Sequence, residues 1–108
     1  METQRQEKVS NLLRELAGMF IQGESNKTSL ITITQCTVSK DLKKATIYLT
    51  VLPEDKERVA LEFLKRKRSE FRDYLKGKLE THTIPFVDFE IDKGEKNRQL
   101  IDQLLLNN

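Results

Sequence analysis

Residues 60–79 read Ala-Leu-Glu-Phe-Leu-Lys-Arg-Lys-Arg-Ser-Glu-Phe-Arg-Asp-Tyr-Leu-Lys-Gly-Lys-Leu, and the fold turns on this stretch. Ala60, Phe63 and Leu64 form an apolar stripe at helical spacing, and Phe71, Tyr74, Leu75 and Leu79 continue it in register. The residue that should join the two halves is Lys67. At about 100° per residue its side chain points where the core should lie. Burying an unpaired ammonium costs several kcal/mol, which a bend avoids. The pattern therefore predicts two helices, 54–66 and 69–80, meeting at an elbow around Lys67-Arg68-Ser69. Pro53 closes the preceding strand, and Glu54, Asp55 and Glu57 suit the positive end of the first of these helices.

Upstream, Val9, Leu12, Leu13, Leu16, Met19 and Phe20 recur at three- and four-residue steps, which predicts an amphipathic helix over 3–22. Thr3 followed by Gln6 fits a capping box, and Gly23 is the expected stop. Leu30 to Ser39 is rich in β-branched residues, but Ile31 and Ile33 have one parity and Cys36 and Val38 the other. A bulge at Thr34 or Gln35 would bring all four to one face. Lys40 to Lys44 turns the chain, with Asp41 as a turn-forming residue. Ala45, Ile47, Leu49 and Val51 then alternate with polar residues, as in a half-buried strand.

Downstream, Val87, Phe89 and Ile91 alternate with Asp88, Glu90 and Asp92, predicting a third strand over 86–92. Gly94 breaks the pattern, and Leu100, Ile101, Leu104 and Leu105 mark a final helix over 95–105. Three strands with helices on one face make an α+β fold, a single two-layer domain over residues 1–108.

Composition narrows the chemistry. The chain has 108 residues, 33% of them charged, and no apolar run near the roughly 20 residues of a membrane helix. The N-terminus has no apolar signal region, and one cysteine, Cys36, excludes an internal disulfide. A soluble cytoplasmic protein is expected. One His, His82, and one Cys are too few for a structural zinc site and make a poor catalytic pair. The acids of 86–92 lack a Gly-rich loop and read as a solvated face, not a metal site. No catalysis, cofactor, metal, membrane or small-molecule substrate is expected, and nothing demands a dimer, so the expected state is a monomer.

Charge is distributed unevenly. Residues 1–62 carry nine basic and nine acidic side chains, and residues 80–108 carry three and six. Residues 63–79 carry seven basic (Lys65, Arg66, Lys67, Arg68, Arg72, Lys76, Lys78) against two acidic, a net charge of +5. Such concentration suits a polyanion. Lys40, Lys43 and Lys44 form a second basic patch, and Arg5, Lys8 and Arg14 lie on or beside the first helix. Phe20, Phe63, Phe71 and Phe89 sit on apolar stripes, leaving only Tyr48 and Phe86 as candidate exposed rings. Phosphate contact is therefore expected to dominate over base reading.

The order α-β-β-α-α-β is that of the type II K-homology domain. The stretch from Ile31 to Val51 resembles the signature of ribosome-binding factor A, most specifically in Val38-Ser39-Lys40-Asp41-Leu42 followed by Ala45-x-Ile47-Tyr48-Leu49. Lys8-Val9, Pro85-x-Val87-x-Phe89 leading to Asp92, and Ile101-x-x-Leu104-Leu105 extend the resemblance over nearly the whole chain. The resemblance implies a non-catalytic assembly factor that binds the small ribosomal subunit and its rRNA, assists late maturation and rRNA processing, and is needed most in the cold. With that partner, the concentration of charge places the expected RNA contacts on the two basic patches. K-homology domains hold nucleic acid over a Gly-x-x-Gly loop, which this chain lacks; the family replaces it with an Ala-x-Gly kink, which aligns with Lys67-Arg68-Ser69. The competing reading is a protein-interaction module that docks on a ribosomal protein or another assembly factor through the acidic face of the third strand and the last helix.

Overall fold

The computed structural model describes residues 3–24, 29–79 and 83–106. Helix α1 (Gln4–Glu24) opens on the expected capping box. The Thr3 amide donates to Gln6 Oε1 (2.9 Å), and the Gln6 amide donates to Thr3 Oγ1 (3.2 Å). The buried Gln6 amide also donates through Nε2 to the Val38 carbonyl (2.8 Å), tying the helix start to the end of strand β1 (Leu30–Val38). Gly23 does not stop the helix, which runs one residue past it. On the buried face, Leu13, Leu16, Ala17, Phe20 and Ile21 enter the core, whereas Leu12 and Met19 stay exposed.

Strand β1 pairs antiparallel with β2 (Lys44–Leu52), and their register slips between Ile33 and Gln35. The extra residue, Thr34, is the predicted bulge. It sets Cys36 and Val38 in the core on the same side as the partly buried Ile31 and Ile33.

After a 3₁₀ turn (Glu54–Lys56), the basic stretch forms α2 (Glu57–Arg66) and α3 (Arg68–Lys76). The break is one residue long. Lys67 leaves helical geometry at φ −90°, ψ 2°, a region open to any L-residue, so no small residue is needed at the bend. Its amide still donates to both the Phe63 and Leu64 carbonyls (3.1 and 3.0 Å). Helix α3 ends at Lys76, before Gly77, short of the expected 80.

Strand β3 (Phe86–Ile91) lies parallel beside β2, giving the order β1-β2-β3 with β2 central. Helix α4 begins at Lys93 and runs through Gly94 to Leu106, earlier than expected, because Asp92 caps it: Oδ1 accepts from the Glu95 amide (3.0 Å).

Three layers of side chain meet at Phe71. Its ring lies 5.0 Å from Phe20 of α1 and 6.0 Å from Phe89 of β3, and it is fully buried. This contact joins both helical segments to the sheet. Among the described residues, no helix is long and apolar enough to cross a membrane.

Candidate nucleic-acid interface

The hairpin turn is rigidly built. The Leu42 amide donates to the Ser39 carbonyl (2.9 Å), and Ser39 Oγ donates to Asp41 Oδ1 (2.6 Å) while accepting from the Lys44 amide (3.0 Å). Asp41 Oδ1 also accepts from the Lys43 amide (3.0 Å). The Ser39 hydroxyl, followed by the Lys43 amide, holds the Asp41 carboxyl below its ordinary value. Asp41 is thus the turn-former expected. Leu42 adopts φ 61°, unusual for a β-unbranched aliphatic residue, and is held there by burial of its side chain. The turn leaves Lys40, Lys43 and Lys44 exposed.

At the elbow the cations separate into two groups. Lys67 keeps only 28% of its side-chain surface exposed; its ammonium sits 3.2 Å from Glu70 Oε1 and 5.7 Å from the Phe63 ring centre. The stem snorkels, and the head finds a partner on the next turn. Lys65 and Arg68 both reach Asp88 of β3, at 3.9 and 3.4 Å. Arg68 Nε also donates to the Lys65 carbonyl (3.1 Å). Lys76 pairs with Asp73 (3.6 Å), and the Lys78 ammonium lies over Tyr74. Arg66 and Arg72 are exposed and make no ion pair among the described residues. The bend is real, but it does not turn all the cations outward: the protein's own carboxylates hold several of them.

The acidic row of β3 is likewise divided. Asp88 anchors the elbow. Asp92 caps α4 and accepts the Thr34 hydroxyl at Oδ2 (2.5 Å), and its carboxyl is lowered chiefly by the Glu95 amide and then by Thr34. Glu90 alone of the three is exposed. The continuous acidic face expected from alternation is therefore absent. The roles of Asp88 and Asp92 were missed in the sequence, although Asp92-x-x-Glu95 carries a capping signal. His82 lies outside the described residues, and Cys36 is buried.

Parallel pairing of β2 and β3 brings one residue of each basic patch to Phe86. Lys44 is the register partner of Phe86, and the Phe86 amide donates to the Lys43 carbonyl (2.8 Å). The Arg68 guanidinium lies 5.7 Å from the Phe86 ring centre on the other side. Arg5, Lys8 and Arg14 remain on α1, and all three are exposed there.

The family model described as ribosome-binding factor A matches residues 5–105. The chain belongs to the ribosome-binding factor A family. A family member from Chlorobium phaeobacteroides is 30% identical over 105 residues, covering 94% of this chain and 90% of that protein. The crystal structure of ribosome-binding factor A from Thermus thermophilus superposes with a TM-score of 0.72 at 21% identity, covering 80% of this chain and 94% of that one. A homology model of the Thermus factor, fitted into a cryo-electron microscopy map of its 30S complex, gives 0.66 at 22% identity, covering 75% and 88%. These similarities confirm the α+β architecture expected of a ribosome-binding factor A. The Ala-x-Gly kink of the resemblance is replaced here by Lys67 at negative φ, which accounts for tolerance of a large residue.

Proposed function

We propose that this protein is a non-catalytic ribosome assembly factor of the cytoplasm that binds the small ribosomal subunit through rRNA phosphates. The observation that supports the proposal is the β2–β3 pairing, which brings Lys44 of the hairpin turn and Arg68 of the elbow to the same residue, Phe86. Arg66, Arg72, Lys40, Lys43 and Lys44 are exposed cations without an ion pair among the described residues, whereas Lys65, Lys67, Arg68, Lys76 and Lys78 are partnered within the protein. The Thermus relative fitted to a 30S complex supports the choice of partner.

The mechanism is conformational. By preferring one arrangement of immature rRNA, the factor raises its population, assists late processing, and leaves when differential affinity is lost. Growth without it is expected to suffer most in the cold. Co-sedimentation with purified small subunits tests the proposal. Five or six phosphate contacts correspond to a loss of about three orders of magnitude in affinity between 50 and 200 mM salt. Failure to co-migrate at low salt, or an affinity indifferent to salt, overturns it.

One observation favours a second contact. Leu100, Ile101, Leu104 and Leu105 of α4 are all exposed on one helix, as a protein-docking stripe would be. An association with a purified small-subunit protein that survives nuclease and is lost in Ile101→Asp would establish that reading.

A further inference from the structure

Phe86 is a large ring in an unusual position. It opens the edge strand β3, and 56% of the residue is exposed. Its neighbours along the chain, Pro85 and Val87, are buried, so the backbone beneath the ring is anchored. Strand parity turns Phe86 and its register partner Lys44 away from the core, whereas the next pair, Ala45 and Val87, is buried. The Arg68 guanidinium is fixed by three contacts, to the Lys65 carbonyl, to Asp88 and over the Phe86 ring. At one accessible ring the fold thus places Arg68 by direct contact and Lys44 by strand register, with Lys65 and Asp88 bonded to or sharing partners with that guanidinium.

An exposed ring has no structural need of a cation on its face and another beside it in register. The combination matches what a single-stranded nucleic acid presents, which is a flat base beside a phosphate on either side. We infer that Phe86 is a stacking site for one unpaired RNA base, with Lys44 taking the flanking phosphate and Arg68 held as a preset cationic backing for the ring. A duplex does not offer its base faces, so the site selects single-stranded or bulged rRNA. The inference rests on the rRNA-binding reading above and deepens it, since phosphate contacts alone carry no such selection.

The test measures affinity for purified small subunits over a range of salt for the wild type, Phe86→Leu and Phe86→Tyr. Leucine keeps the apolar bulk and strand preference of the position but has no ring face. Stacking on one base corresponds to a loss of roughly 5- to 150-fold, so Phe86→Leu is expected to bind about tenfold or more weakly, with an unchanged dependence on salt, and Phe86→Tyr to bind as the wild type does. Equal affinities for Phe86→Leu and the wild type overturn the stacking site and leave the phosphate surface standing. A shallower salt slope in Phe86→Leu means that the change acts by displacing cations, and also overturns it. Absence of wild-type binding removes both the site and the function on which it rests.

Discussion

Arg68 and Asp88 stand twenty residues apart in the chain and 3.4 Å apart in space, so the bend between two helices is pinned to the edge strand of the sheet. Each side chain is about 40% exposed, which makes the pair a weak contributor to stability, about 0–1 kcal/mol. Its larger effect is on charge. Asp88 draws on both Lys65 and Arg68 and lowers the positive potential of the elbow. Asp88→Asn is expected to change stability by less than about 1 kcal/mol and to tighten binding to small subunits at low salt. Titration at two salt concentrations checks this; weaker binding by the variant would contradict a phosphate-binding elbow.

The cations of the basic run should not contribute equally. Arg66 and Arg72 are exposed without ion pairs among the described residues, whereas Lys67 is held on Glu70. Arg66→Gln together with Arg72→Gln is expected to reduce the slope of log affinity against log salt by about 1–2, and Lys67→Gln by clearly less. The same series in urea should give unchanged unfolding slopes. A larger effect from Lys67 than from the arginine pair would mean that the exposed cations face away from RNA.

Phe71 links α1, α3 and β3 through its rings of contact with Phe20 and Phe89. Truncation there opens a cavity at the meeting point of all the layers. Phe71→Ala is expected to cost about 3–5 kcal/mol, read from denaturant unfolding.

Leu42 sets two effects against each other. Its positive φ strains any side chain, by about 1–2 kcal/mol, yet its own side chain is almost fully buried. Leu42→Ala keeps the strain and loses the packing, whereas Leu42→Gly loses the packing but relieves the strain. Both variants should be less stable than the wild type, with glycine the milder by about 1 kcal/mol. Calorimetry ranking alanine above glycine would remove the strain from the account.

Asp92 should make α4 acid-sensitive. Its carboxyl is held below the ordinary 3.8 first by the Glu95 amide and then by Thr34. Because the folded state favours the carboxylate, the contribution is fully present above about pH 4, and it is lost as pH falls below 3.8 through the lowered folded value. Asp92→Ala is expected to cost about 1 kcal/mol near pH 7, from the lost cap, with the difference shrinking below pH 3.8. A gap that stays constant down to strong acid would show that the charge plays no part.

Which residues bend, bulge and turn could be read from the chain itself. Helical and alternating spacings are local, so they reveal the face each segment buries, the slip at Thr34 and the conflict at Lys67. Capping was only half legible: Thr3 and Gln6 stood out, but Gly94 obscured the cap at Asp92. Where a charge ends up was not legible, because Lys65 and Arg68 meet Asp88 only through strand order. That order, with β3 laid parallel against β2, was settled by the packing of Phe71 and Phe89, contacts between residues distant in sequence. Local periodicity therefore determined the elements and the bend, while the tertiary structure alone decided which cations are neutralised and that Lys44 and Arg68 both lie beside Phe86. The physical reason is that Coulombic pairing depends on distance in space, which spacing along a chain does not encode.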